Sequence, residues 1–181
     1  IHDTIDGRSL VLQMLRPLLA EKSLPPESAL FLATTLGEIE YLERAVLKKD
    51  TDAARSNPAV LLGKLRSHCG INRPGLVISS ACTSSSTAIA RAADMICQGR
   101  CDCALILACD CVSEFISAGF SSLMAMSPDR AHPFDADRQG LSIGEAAGYI
   151  LLMNSDRAKR ENRKILGSIA GWGLSGDAYH M

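Results

Sequence analysis

The sequence predicts an α/β fold, a mostly parallel sheet with helices on both faces. Three observations predict it. Apolar runs of strand length alternate with amphipathic segments of helix length. The order strand, helix, strand occurs twice. The strand runs are bounded by glycine, proline and small polar residues, as buried strands are. With 181 residues, the chain is long enough for one domain with a real core.

The elements follow in order. "GRSLVLQMLRPLLAEKSL" (7–24) carries apolar residues at helical spacing, with Pro17 as a kink or early stop and Pro25 and Pro26 as its end. "SALFLATTLG" (28–37) is an apolar run closed by a small-residue turn, hence a buried strand. "EIEYLERAVLKK" (38–49) reads as an amphipathic helix. So does "SNPAVLLGKLRSHCG" (56–70): Ser56 or Asn57 caps it, Pro58 suits its first turn and Gly70 its end. Then come "GLVISSA", a strand; "STAIARAADMICQG", a helix stopping at Gly99; and "DCALILACDC", a strand. "AAGYILLMN" (146–154) and "KILGSIAGWGLSG" (164–176) read as two further strands.

Composition excludes several classes. The chain is 47% hydrophobic and 22% charged with a net charge of −1, ordinary for a globular protein. No basic stripe marks a nucleic-acid surface; the densest basic run, "RAKRENRK" (157–164), contains Glu161 and reads as the solvated face of a short helix. No apolar run reaches the ~18 residues of a membrane span. "IHDTIDGRSL" is not a signal peptide, and without an initiator Met the chain is expected to be a piece of something longer. The seven cysteines are odd in number, and four fall in one strand region. They suit small core residues in a reducing cytoplasm better than a disulfide framework.

The informative cysteine is Cys82, in "VISSACTSSST" (77–87). It follows a strand and precedes a helix. A helix starting there brings unpaired backbone N–H groups and the positive end of its dipole near the sulfur. Both stabilise a thiolate, and the same N–H groups can hold an oxyanion. Ala81, Thr83, Ser84, Ser85 and Ser86 are small enough to let a substrate approach. This is the layout of a nucleophile that forms a covalent acyl intermediate. A buried structural cysteine at a strand end is the competing reading. A serine nucleophile is disfavoured, since no G-x-S-x-G elbow is present.

"SSACTSSSTAIARAADMICQG", "DCALILACDCVSEFISAGFSSLMAMS", "HPFDADRQGLSIGEAAGYILL" and "GDAYHM" occur in this order. Together they resemble the β-ketoacyl-acyl-carrier-protein synthases, from about residue 28 to the end. The resemblance implies a thiolase-like fold, here incomplete: most of the N-terminal α-β-α half. Residues 1–163 would form that half, lacking its first strand, and residues 164–181 would open a second half. It implies that Cys82 accepts an acyl group from a carrier-protein thioester, with its backbone N–H as half of the oxyanion hole. Decarboxylated malonyl carrier protein would then condense with that acyl group, with no metal or organic cofactor. Acyl carrier protein is the implied partner, and a homodimer the implied assembly. Leu36 would limit acyl length, and Ile116 and Phe120 would line the acyl tunnel. The family's two catalytic histidines, its lysine and its glycine-rich gating loop are not matched by any motif here. This chain by itself is therefore expected to condense poorly. Two rivals keep the fold: a thiolase-like acyltransferase using coenzyme A, and a non-catalytic partner of the chain-length-factor type. The second typically lacks the nucleophile.

Other groupings give weaker signals. His132 and His180 have no evident orienting partner and read as loop residues. "DADRQG" lacks the closing Glu of a calcium loop, so Asp135 and Asp137 are expected to shape a turn, with Arg138 as a partner. Gly140, Gly144 and Gly148 are expected to allow close backbone packing. Two C-x-C pairs (Cys101 and Cys103, Cys109 and Cys111) would sit about 20 Å apart along a strand, too far for one zinc ion. Met124 and Met126 are expected to pack in the core unless they line the acyl tunnel.

Overall fold

The structure is a computed structural model that describes residues 9–20, 23–48 and 53–176. Its order is α1 (Leu10–Leu19), β1 (Ala29–Ala33), α2 (Glu40–Lys48), a 3-10 turn (Ala53–Ser56), α3 (Pro58–His68), β2 (Gly75–Ile78), α4 (Ser84–Cys97), β3 (Cys103–Asp110), α5 (Glu114–Ser122), β4 (Ala146–Met153) and α6 (Ser155–Arg160). The sheet order is β2-β1-β3-β4. β1 runs parallel to both β2 and β3, and β4 closes the sheet antiparallel to β3.

The central strands explain their own composition. Every residue of β1 is buried, because both faces of the sheet are covered. Leu30 and Leu32 join Leu105 and Leu107 of β3 against Val11, Leu12, Leu15 and Leu19 of α1 and Leu61 and Leu65 of α3. The alternate residues Ala29, Phe31 and Ala33 join Ala104 and Ile106 against Ala88 and Ala92 of α4. Period-two side chains thus feed two cores from one strand. The crossovers β1→β2 and β2→β3 travel in opposite directions across the sheet. A common right-handed sense then places α3 and α4 on opposite faces. Ala88 and Ala92 are one turn apart and fully buried, so α4 lies close to the sheet and its start is fixed at the strand ends.

Local signals act as read in several places. Asn57 Oδ1 accepts from the Ala59 N–H at 2.9 Å, and Pro58 opens α3. Gly99 follows α4 with φ +67°, and Arg100 N–H returns to the Met95 carbonyl at 2.9 Å, closing the helix. The helical reading of "RAKRENRK" is met in its first four residues by α6, capped by Asn154 Oδ1, and the run past Arg160 is not helical.

Three expectations need correction. α1 does not run to Pro25 and Pro26 but ends at Leu19, two residues past Pro17, which it accommodates because burial of the stripe Val11, Leu12, Leu15 and Leu19 outweighs one lost hydrogen bond. Residues 164–176 form no strand. Their apolar pattern supplies propensity, but a strand exists only where a neighbour offers a ladder, and Leu166 stands 87% exposed. Met124 is not a core residue. It is 90% exposed, at φ +51°, in the left-handed position after α5 that glycine usually fills. The Ala125 N–H closes on the Phe120 carbonyl at 3.1 Å there, and this turns the Met124 side chain away from the core. Met126 is half-buried.

Candidate active site

The carboxyl ends of β1 and β3, the turn after β2 and the start of β4 meet around a cavity of about 530 Å³. In open parallel sheets this is where ligands bind, because successive loops diverge there. Ala33 and Thr35 line it from β1 and its turn, Ala108, Cys109 and Asp110 from β3, and Gly144–Gly148 from the β4 side. Cys82 lines it from the β2 turn and is exposed.

The turn that carries Cys82 is an elbow. β2 ends at Ile78 and α4 begins at Ser84, with Thr83 as its N-cap residue. Ala81 has φ +49°, a left-handed conformation that a side chain disfavours by roughly 1–2 kcal/mol. Hydroxyl groups hold it there. Ser84 Oγ donates to the Ala81 carbonyl at 2.7 Å and accepts from the Ser80 N–H at 2.9 Å. Thr83 Oγ1 donates to the Ser80 carbonyl at 2.7 Å, and Ser80 Oγ bonds Thr87 Oγ1 at 3.1 Å. The row of small hydroxyl residues therefore builds the elbow as well as leaving room above it. The Thr83 side chain is engaged with Ser80 and does not cap α4. Cys82 thus stands one residue before the N-cap of a 14-residue helix, at the end whose amides and dipole favour negative charge.

A second network joins the strand ends. The Asp110 carboxylate accepts from Thr34 Oγ1 at 2.8 Å, the Thr35 N–H at 2.9 and 3.1 Å, and Thr35 Oγ1 at 3.0 Å. The Thr35 carbonyl accepts from Ser79 Oγ at 3.0 Å, and Thr35 Oγ1 lies 3.5 Å from the Ala81 carbonyl. Glu145 Oε2 accepts from the Val112 N–H at 3.4 Å. The charged side chains lining the cavity are thus two carboxylates, Asp110 and Glu145.

The other cysteines differ from Cys82. Cys101, Cys103, Cys109 and Cys111 are buried, Cys69 is half-buried and only Cys97 is also exposed. Burial pushes the Cys109 thiol far up, helped by the Asp110 charge, and pushes Cys111 up to about 12, helped by Glu40. Such thiols stay protonated and inert at neutral pH. The C-x-C pairs sit at opposite ends of the eight-residue β3.

The remaining sequence candidates fall elsewhere. Leu36 lies half-buried in the turn after β1, and Ile116 and Phe120 lie half-buried one turn apart on α5. None of the three lines the cavity that holds Cys82. His132 is exposed and borders a separate polar hollow of about 310 Å³ with Ser127, Asp129, Asp135, Asp137 and Gln139. His180 lies outside the described residues. Asp135 does shape a turn: its Oδ1 accepts from the Asp137 N–H at 2.9 Å, and its carbonyl accepts from Arg138 at 2.9 Å. Gly140 packs as expected, since a Cβ there would stand 2.6 Å from the Ala125 carbonyl oxygen, but Gly144 and Gly148 have open space.

Thr35, Asp110 and Glu145 were not singled out from sequence. A usable signal existed in "ACDC", where an acidic residue ends a long apolar run at the strand's carboxyl end. The strained Ala81 had none, because alanine does not announce a positive φ.

Comparison with known proteins accounts for this arrangement. Residues 12–158 match the model of the N-terminal domain of beta-ketoacyl synthases. The chain is 36% identical over 129 residues to 3-oxoacyl-[acyl-carrier-protein] synthase 2 of Vibrio cholerae, covering 67% of this chain and 31% of that protein. It is 34% identical over 130 residues to nodulation protein E of Rhizobium leguminosarum bv. trifolii, covering 71% of this chain and 32% of that protein. The ishigamide ketosynthase/chain length factor structure superposes with a TM-score of 0.76 at 29% identity, over 87% of this chain and 42% of that one. A beta-ketoacyl synthase from Burkholderia phymatum superposes with a TM-score of 0.72 at 25% identity, over 96% of this chain and 47% of that one. The chain therefore spans about a third of the length of these curated relatives. With its three-layered, mostly parallel sheet and the extent of these matches, the chain belongs to the beta-ketoacyl synthase family and carries the thiolase-like fold of that family's N-terminal domain.

Proposed function

We propose that this chain is the acyl-accepting part of a β-ketoacyl-acyl-carrier-protein synthase, an acyltransferase of fatty acid or polyketide synthesis, with Cys82 as its nucleophile. The observation that carries the reading is an exposed thiol on a strained strand-to-helix elbow, facing a cavity at the carboxyl ends of parallel strands. Cys82 Sγ attacks the carbonyl carbon of an acyl thioester. A carbon–sulfur bond forms to Cys82, the carrier's thiol departs with a proton, and the Cys82 N–H stabilises the oxyanion. In the second half-reaction a malonyl thioester loses carbon dioxide, and its carbanion attacks the Cys82-bound carbonyl. The new carbon–carbon bond forms as the bond to Cys82 breaks, and the released thiolate takes up a proton from water to restore the thiol.

The acyl donor and the malonyl donor are thioesters of acyl carrier protein. Leu36, Ile116 and Phe120 bound the acyl chain once the longer protein is assembled as a homodimer. The seven free thiols favour a reducing, cytoplasmic setting. No described helix is long and apolar enough to cross a membrane. The test is acyl transfer from an acyl carrier-protein thioester, read by peptide mass spectrometry. The acyl mass is expected on the Cys82 peptide and is lost in Cys82→Ala. Transfer to another cysteine, or unchanged transfer in Cys82→Ala, refutes the assignment.

A further inference from the structure

We infer that Asp110 is a positioning residue for Cys82, acting through Thr35 on the elbow. The inference rests on Cys82 being the nucleophile and adds what holds it in place.

The elbow is held by two sets of bonds. Those among Ser80, Thr83, Ser84 and Thr87 are internal to the turn and to α4, so they shape the elbow without fixing it to the sheet. Side-chain attachment to the sheet runs through Thr35, which receives Ser79 Oγ on its carbonyl at 3.0 Å and places Oγ1 3.5 Å from the Ala81 carbonyl. Thr35 itself is just past β1, beyond the ladder that ends at Ala33 and Ile78. It is held by Asp110, which engages both its N–H and its hydroxyl. A threonine hydroxyl has one proton and serves one acceptor at a time. The carboxylate at 3.0 Å is nearer and charged, so it fixes Thr35, and with it the carbonyl that receives Ser79 Oγ two residues before Ala81. The internal bonds keep Ala81 at φ +49°, so when the anchor at Ser79 loosens the elbow shifts as a unit against the sheet, and Cys82 moves with it. Asp110, Thr35, Ala81 and Cys82 all line the one cavity, so this movement occurs within the site.

The test is the rate of iodoacetamide alkylation of Cys82 relative to Cys97, the exposed thiol at the far end of α4. Both are read by peptide mass spectrometry on the same 181-residue sample. Asp110→Ala and Thr35→Val are each expected to lower the ratio about ten-fold or more, the scale of one lost charge-assisted hydrogen bond. The double variant is expected within about two-fold of the slower single variant, because both act through one chain of contacts. Thr35→Ser keeps the hydroxyl and restores most of the rate; Asp110→Asn keeps an acceptor for Thr34 Oγ1 and the Thr35 N–H but loses the charged acceptor of Thr35 Oγ1, so its ratio is expected between those of Asp110→Ala and the unsubstituted chain. A merely structural role would lower the melting temperature and leave the ratio in place. An unchanged ratio in Asp110→Ala and Thr35→Val overturns the inference while the Cys82 assignment stands. Independent, multiplicative effects overturn it as well. If Cys82 reacts no faster than Cys97 in the unsubstituted chain, the nucleophile reading fails and this inference with it.

Discussion

Replacing Lys64 by methionine leaves the buried Glu38 side chain without its lysine partner. The Glu38 side chain is fully buried in the turn that follows Thr35, and its partners are Ser9 Oγ and Lys64 Nζ, the latter at 3.1 Å. At an effective dielectric of about 20, attraction across that distance is about 5 kcal/mol. The Lys64 side chain is 21% exposed, so water offsets part of this. Breaking a buried pair from one side still costs roughly 3 kcal/mol. For a chain of this length that lowers the melting temperature by about 6–12 °C. Adding Glu38→Gln removes the stranded charge, keeps an acceptor for Ser9 Oγ, and is expected to recover about half of the loss. Urea unfolding followed by circular dichroism measures both variants. A loss below about 1 kcal/mol in Lys64→Met, or a double variant less stable than the single, would refute the account of Glu38 as a buried charge held by its lysine.

Two other outcomes follow from the same geometry. Gly140 has φ +134° and lies against the Ala125 carbonyl and the Met126–Ser127 peptide, so Gly140→Ala is expected to destabilise by about 2 kcal/mol or more, seen as a lower urea midpoint; a neutral effect would show that this loop yields freely. Alkali should weaken the fold through the buried thiols. Burial raises Cys69 to about 11 and Cys111 to about 12 from an ordinary 9.0, so the fold prefers the neutral thiol. Their contribution is complete below pH 9 and falls as pH rises through 11 to 12. Urea midpoints at pH 8 and pH 11.5 measure this, with a flatter profile expected in Cys111→Ala; identical profiles would contradict it.

Much of the architecture was legible in one dimension because it rests on local chemistry. The apolar runs at 29–33 and 103–110 can lie only in a sheet covered on both faces, and Asn57, Pro58 and Gly99 mark helix ends through their own backbone and side-chain chemistry. The change from strand to helix pattern at Cys82 foretold the turn, and its small neighbours foretold the open surroundings. The strand expected over 164–176 failed because pairing is a property of neighbours, and the core placement of Met124 failed because the closure of α5 sets its direction.

The order of residues by itself determined where the buried strands β1 and β3 and the helices α3 and α4 lie, and which thiol follows a strand and opens a helix. Only the tertiary structure decided that Thr35 and Asp110, 75 positions apart, would meet beside that thiol, and that Ala81 would be held at positive φ. The reason is physical: caps and apolar periods depend on residues a few positions apart. The register of β1 against β3, which joins Asp110 to Thr35, is set by two cores packing at once.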